Sequence, residues 1–378
     1  MENDLTILCT TAMGLESVAT QELRQLGYTD MTTENGRIVL RGTATDVARL
    51  NLWMRTADRI KIVVGRFKAE TFDELFEGTK ALPWEAYLPF DAAFPVQGKS
   101  VRSVLTSVPD CQSIVKKAIV DRMSAKQIQF MSFDESGDTF PIEINVTKDW
   151  AEITLDTSGT GLHKRGYRLD QGEAPLKETL AAALVLLTNW KPHMPFIDPM
   201  CGSGTLAIEA AMIGLRLAPG FNRSFISERW PLIPTDVWEK AREEAEDLAD
   251  YDTRLSIFAS DIDHRMIETS QENALEAGLM SDIEFKQMQL ADLTLPDENG
   301  VLVSNPPYGE RMGDEKGTKA IAEQVGQLIQ TRPDWSYYLI TADKQFEKNA
   351  GQKATKKRKL FNGYLETQYY QFWASKHH

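Results

Sequence analysis

The stretch PFIDPMCGSGTLAIEAAMIGLRL, Pro195–Leu217, decides the fold. A short apolar run ends at Asp198, a loop with two glycines follows, and from Thr205 the apolar residues recur at helical spacing. A strand that turns through glycines straight into a helix opens a parallel, doubly wound sheet, and its loop lies at the carboxyl end of the strand, where such sheets bind ligands. The rhythm continues downstream with strand LSIFASDID, helix MIETSQENALEAGL, strand IEFKQMQLADL, strand GVLVSNPP, helix TKAIAEQVGQLIQTRP and strand SYYLITAD. Helix PLKETLAAALVLLTNW comes first, and the closing KATKKRKLFNGYLETQYYQFWA reads as a hairpin that finishes the sheet with antiparallel strands. Residues 174–378 therefore read as one α/β domain.

Upstream the pattern differs. Residues 1–60 read as strand DLTILCT, helix GLESVATQELRQLG, strand GRIVLRG and helix ATDVARLNLWMR, a small α+β unit. Residues 61–158 combine strand RIKIVVGRFKA, helix TFDELFEGTKALPW, strand AAFPVQGKSV, helix SIVKKAIVDRMSAK and the closing strands FPIEINVTKD and WAEITLDTS, a second α+β unit. The segment 159–173, rich in glycine and charge, reads as a hinge.

At 378 residues and 42% hydrophobic content the chain can build two or three packed domains. Its longest apolar run, TLAAALVLLT, is too short for a membrane helix. The amino terminus carries acids where a secretory signal has bases. Cys9, Cys111 and Cys201 lie far apart with no CxxC pair and no histidine cluster, so neither disulfides nor a metal site is expected, and a reducing cytoplasm is the expected location. The net charge of −13 is unevenly spread. Six basic residues against two acids lie between Lys99 and Lys126, HKRGYR and KATKKRK are basic, and the acids concentrate in WEKAREEAEDLADYD. Basic patches on an acidic chain fit a selective polyanion binder, or solvated faces.

Three strand-end loops carry the chemistry. In DPMCGSGT, Gly202 and Gly204 let backbone amides approach a ligand, and with Ala207 they also satisfy the dinucleotide fingerprint. A dinucleotide site needs an acid about 20 residues on. Only Glu228, in a loop rich in proline and tryptophan, is available there. The next strand instead ends at Asp261 and Asp263, suited to ribose hydroxyls, and the third at Asp292, suited to an adenine amino group. No lysine or arginine is expected beside the glycines, which disfavours a pyrophosphate, and Asp198 is placed to meet an ammonium. S-adenosylmethionine has all of these parts. Each aspartate taken alone also fits a helix cap.

In the fourth strand, VLVS runs into Asn305-Pro306-Pro307-Tyr308. An aromatic amine is a poor nucleophile because its lone pair is spread into the ring. If Asn305 Oδ1 and the Pro306 carbonyl each accept one amino hydrogen, the lone pair is turned toward an incoming methyl group. Pro306 and Pro307 stiffen the loop, and Tyr308 can stack on the base, including one flipped from a helix. The motif selects a planar amine: guanine N2, adenine N6 and a glutamine side chain all qualify.

DPMCGSGT, SDID, LAD and NPPYG, in this order, resemble the motifs of class I S-adenosylmethionine-dependent methyltransferases acting on exocyclic amines. With SGTGLHKRGYR, APLKETLAAAL and the N-terminal zones, the chain resembles over essentially its full length the THUMP-containing RNA guanine-N2 methyltransferases, the RlmL-like group. The resemblance implies a ferredoxin-like unit at 1–60, a THUMP RNA-binding domain at 61–158 and a Rossmann-like methyltransferase domain at 174–378. It implies S-adenosylmethionine as methyl donor, S-adenosylhomocysteine as product, no metal, and an RNA substrate, 23S ribosomal RNA first and transfer RNA as rival.

Cofactor contacts are then expected from Asp198, Pro199, Cys201 and Gly202, and from Ser203, Gly204 and Thr205. Asp261, Ile262 and Asp263, together with Asp292, Leu293 and Asn305, complete them. Lys116, Lys117 and Lys126 on the basic helix, with Lys164, Arg165 and Arg168 in the hinge, are the expected RNA contacts. His163 reads as a loop or phosphate-contacting histidine, and Trp230 is expected near the site. A non-catalytic RNA-assembly protein on this fold, and more remotely a dehydrogenase, are the competing classes.

Overall fold

A computed structural model describes residues 4–126, 135–168, 176–307 and 315–375. These fall into two compact units, one within Met1–Thr11, Leu23–Leu162 and Ser224–Glu244, the other within Ala12–Glu22, His163–Arg223 and Ala245–His378.

The first unit is built on β1 (Leu5–Thr11), β2 (Met31–Glu34), β3 (Arg37–Gly42), β4 (Ala57–Lys68), β5 (Val96–Val101), β6 (Ile142–Thr147) and β7 (Trp150–Asp156). They form one seven-stranded sheet in the order β2-β3-β1-β4-β7-β6-β5. Its helices are α2 (Ala44–Trp53), α3 (Phe72–Ala81) and α4 (Val108–Lys126), while α1 (Glu16–Gln25) is divided between the units. A reciprocal capping box starts α3, with Glu74 N donating to Thr71 Oγ1 at 3.1 Å and Thr71 N donating to Glu74 Oε2 at 3.3 Å.

The expected boundary after residue 60 falls inside β4. Ile62 pairs with Ile7 of β1 on one side and with Leu155 of β7 on the other, so the two N-terminal zones share a sheet. β2, which the sequence pattern did not predict, is a mostly exposed MTTE run without apolar alternation. Its only signal is the Asn35-Gly36 turn, where Gly36 adopts φ +72°.

The second unit holds β8 (Phe196–Asp198), β9 (Ile257–Asp261), β10 (Ile283–Gln287), β11 (Val301–Ser304), β12 (Ser336–Thr341), β13 (Lys356–Asn362) and β14 (Leu365–Phe372). The order is β10-β9-β8-β11-β12-β14-β13, with β10 to β12 parallel and β14 antiparallel to both neighbours, as the closing hairpin predicts. Helices α5 (Glu178–Leu186), α6 (Thr205–Gly214), α8 (His264–Glu276), α9 (Glu315–Thr331) and α10 (Phe346–Ala350) accompany it, and α7 (Thr235–Leu248) is shared between the units. Val301, Val303, Tyr338 and Ile340 join one apolar core and Leu302, Tyr337 and Leu339 another, which is why these strands are buried at every position and apolar without alternation. The chain moves one way along the sheet from β8 to β9 and the other way from β11 to β12, so the crevice between β8 and β11 is the topological switch point.

Helix α7, which carries the acidic run, buries Trp238, Ala241 and Ala245 on one face, and Trp238 stacks on Phe225 at 5.3 Å. One expectation changes. Trp230 is 1% exposed, stacks on Phe140 at 4.6 Å and donates to Thr139 O, so it belongs to the core of the first unit and not to the cofactor loops.

Helix α9 follows the Asn-Pro-Pro loop and leans on α10 at Gly326, where an added Cβ would overlap the Ala350 carbonyl. Gly326→Ala should therefore destabilise the protein by roughly 1–3 kcal/mol in urea unfolding.

Candidate functional site

Asp198 ends β8 at 1% exposure. Its Oδ1 accepts from Ser304 Oγ at 2.7 Å and from Met200 N at 3.3 Å, which fastens the end of β8 to the end of β11 across the switch point. Burial, against those two hydrogen bonds, pushes its carboxyl up to about 7. The glycine loop is fixed from the β9 side. Cys201 N donates to Ser260 O, Gly202 N to Asp261 Oδ2 at 2.9 Å, and Asn273 Nδ2 to Ser203 O at 3.0 Å.

Gly202 (φ +50°) and Gly204 (φ +81°) both need the left-handed region. A Cβ on Gly204 would meet Ser270 Cβ at 2.9 Å, whereas one on Gly202 would project into open space, the cradle a ligand needs. Pro199 and Cys201 are buried, and burial together with Asp198 and Asp261 pushes the Cys201 thiol well above its usual range, so it serves as packing.

Asp261 Oδ1 accepts from Asp263 N at 2.9 Å, so each of its oxygens holds one amide and keeps a lone pair for a further donor. Between the two acids Ile262 is 66% exposed, a flat apolar surface at a strand end. Asp263 caps α8 and pairs with Arg265, whose hydrogen bonds hold it below the usual carboxylate range. Asp292 is exposed and lines a cavity of about 400 Å³ with Phe258, Met288 and Leu293. Leu293 is 9% exposed and packs in the apolar cluster with Ile197 and Leu302.

Asn305 follows β11, and Asn305 Oδ1 is buried with no hydrogen-bond partner among the described residues. Pro306 is buried and Pro307 half-buried, while Tyr308 lies outside the described residues. A buried amide oxygen left unpaired costs about 1–3 kcal/mol, so an incoming donor there has a built-in advantage.

The hinge residues part company. Lys164 is exposed, as a phosphate contact would be. Arg165 is not: at 3% exposure it donates from Nε and Nη2 to the two oxygens of buried Glu209 at 3.2 Å each, and Tyr167 Oη donates to the same carboxylate at 3.0 Å. Arg168 is also turned inward, with Nη2 donating to Thr205 Oγ1 at 2.7 Å and Nε 3.5 Å from Glu178. Thr205 in turn lies 3.3 Å from Ser203 Oγ. A guanidinium therefore does stand beside the glycine loop, brought from 37 residues upstream. His163 is pushed down to about 4 by burial and by Lys177, Lys164, Arg165 and Arg223, so it is neutral at pH 7.

In the first unit Lys117 and Lys126 are exposed. Lys116 donates to Phe94 O, sits 3.8 Å above the Phe94 ring and pairs with Glu135, which ties it into the first unit. Sequence reasoning missed Ser304, Asn273 and Glu209, which hold the loops. Ser304 was the findable one, a hydroxyl in an otherwise apolar strand.

The model of the "RMKL-like, methyltransferase domain" family matches residues 165–371. Those of the "RlmL ferredoxin-like domain" and the THUMP domain match residues 6–61 and 69–156. "Putative RNA methyltransferase YpsC" of Bacillus subtilis (strain 168) is 56% identical over 370 residues, 98% of this chain and 96% of that protein. "Ribosomal RNA large subunit methyltransferase K/L" of Syntrophotalea carbinolica is 33% identical over 379 residues, 97% of this chain and 53% of that protein, so the chain spans about half its length. The crystal structure of SMU.472, described as "a putative methyltransferase complexed with SAH", has a TM-score of 0.95 at 47% identity and covers 100% of both chains.

Breaking the buried pair tests the inward reading of the hinge. Arg165→Met should cost about 3–5 kcal/mol in chemical unfolding, and the double variant with Glu209→Leu should recover most of it. The chain belongs to the RlmL-like family of S-adenosylmethionine-dependent RNA methyltransferases, with ferredoxin-like and THUMP domains ahead of the methyltransferase domain.

Proposed function

We propose that the protein, acting in the cytoplasm, methylates the exocyclic N2 of a guanosine in 23S ribosomal RNA. The observation that carries the amine chemistry is the buried, unpaired Asn305 Oδ1 at the switch point. Guanine and the large ribosomal RNA are the finer part of the reading. They are supported by the motif resemblance and by the name of the Syntrophotalea relative.

S-adenosylmethionine, when bound, supplies an electrophilic methyl group on a sulfonium. The chain supplies binding and orientation. The open space over Gly202 and its neighbouring amides receives the amino-acid tail, and Asp198 meets the ammonium. Asp261 takes the ribose hydroxyls, Ile262 packs on the adenine and Asp292 accepts from its amino group. Asn305 Oδ1 and the Pro306 carbonyl accept the two amine hydrogens of the guanine, so its lone pair faces the methyl group, and the proton leaves after transfer. Tyr308 stacks on the base. No step needs a histidine or a metal.

Asn305→Ala should keep S-adenosylhomocysteine affinity in calorimetry and lose roughly a hundredfold in kcat with RNA from a strain lacking the gene. Full activity in that variant would sink the role of Asn305. Mass spectrometry of the RNA product should show N2-methylguanosine in 23S RNA; N6-methyladenosine, or label in transfer RNA alone, would overturn the finer assignment.

The Asp198 carboxyl adds a pH signature. Its value near 7 means that the ionised form, which the ammonium requires, is lost below that pH. Affinity for S-adenosylhomocysteine should therefore rise about five- to tenfold from pH 6 to pH 7.5, and Asp198→Asn should flatten the profile.

A further inference from the structure

The β13–β14 hairpin is longer than the sheet requires. On β14, Gln368 pairs with Thr341, the last residue of β12, yet β14 begins at Leu365, three residues farther out. β13 keeps pace, with Asn362 opposite Leu365. At about 3.3 Å per residue the tip overhangs β12 by roughly 10 Å. The overhang lies at the carboxyl end of β12, which runs parallel to β11, so it stands on the same side of the sheet as Asn305 and the glycine loop. With β12 and β14 between them and strands about 4.8 Å apart, the tip is displaced sideways from β11 by roughly 12 Å.

The tip is Asn362-Gly363-Tyr364-Leu365. Gly363 at φ +62° occupies the first central position of a two-residue turn, as a type II′ hairpin demands. The second central position makes no demand for an aromatic, yet it holds Tyr364, fully exposed at 107%, beside Leu365 at 46%. Lys359 pairs with Glu366 at 2.7 Å, and the charge of Lys344, in the loop just after β12, also helps hold the Glu366 carboxyl below its usual range, so two exposed lysines stand near the tip. Lysines on an edge strand have a common explanation, protection against edge-to-edge pairing. That explanation covers Lys357 and Lys359 but gives no reason for an exposed aromatic at the turn.

We infer that this hairpin tip is a docking point for the RNA strand next to the target nucleotide, where Tyr364 stacks on an unpaired flanking base and Lys344 and Lys359 meet phosphates. Base stacking on an exposed ring needs no sequence preference and is strong enough to matter. The inference rests on the chain acting on RNA, not on which base or which RNA it methylates.

The test uses the full chain, tritiated S-adenosylmethionine and total RNA from a strain lacking the gene. Tyr364→Ala should raise KM for RNA roughly five- to a hundredfold, Tyr364→Trp should restore it, and the melting temperature and S-adenosylhomocysteine affinity should stay at wild-type values. A KM equal to that of the wild type, or a change confined to kcat, overturns the inference. If the wild type transfers no methyl group to any RNA, the functional reading fails by itself. Filter binding of the same RNA then decides the hairpin: weaker binding by Tyr364→Ala supports it, and unchanged binding overturns it.

Discussion

The hydrogen bond from Ser304 Oγ to Asp198 Oδ1 is the constraint around which the site is arranged. Asp198 ends one strand and Ser304 another, and the two strands are neighbours only because the sheet reverses direction between them. A buried carboxyl with a hydroxyl and an amide donor fixes where both loops begin. It also places the unpaired Asn305 Oδ1 one residue beyond the bond. Moving either strand by one residue would reverse the facing of Ser304 and break the tie. Cofactor loop and amine-holding loop therefore share one reference point, which is what in-line transfer requires.

Behind this contact stands a second layer of charge. Arg165, Tyr167 and Glu209 form a buried group, and Arg168 reaches from the same segment to Thr205 at the start of α6. A buried ion pair of this kind adds little net stability compared with apolar packing, but it tolerates no loss of a partner. Its effect is geometric: the segment His163–Arg168 is pinned to the helix that carries the glycine loop. What composition presents as a basic, solvated hinge is, in its described part, an anchor.

The features legible in the sequence are those encoded within a few residues of one another. The runs VLVS and SYYLIT, largely apolar with no alternation, declare strands covered on both faces, and Gly202 and Gly204 declare a loop that turns into a helix. The closing hairpin follows from two strand patterns separated by a short turn at Gly363. Contacts between distant positions stayed hidden. Nothing near Arg168 signals Thr205, nothing near Lys116 signals Phe94 or Glu135, and the LAD motif gives no sign that Leu293 turns into a core while Asp292 faces water. The continuity of β4 was hidden for a different reason: a domain boundary inferred from a change of pattern assumes that each pattern has its own sheet, and here one strand serves both.

The same pairing of charges bears on how such a protein holds RNA. At a net charge of −13, the chain as a whole repels a polyanion. Much of the local positive charge is also spent internally, with Arg122 on Glu85, Lys61 on Glu143 and Lys357 on Glu347. Exposed cations outside those pairs, such as Lys117, Lys164, Lys344 and Lys353, stand on a chain whose 55 acids outnumber its 42 lysines and arginines. Phosphate neutralisation alone then yields a small and strongly salt-dependent affinity. Affinity has to come from contacts that do not scale with charge, which means stacked bases and fitted shape, the terms that dominate recognition of unpaired RNA. An acidic RNA enzyme is on this view no contradiction: weak bulk attraction disfavours dwelling on the wrong RNA and leaves selection to the nucleotides that can be splayed out and held.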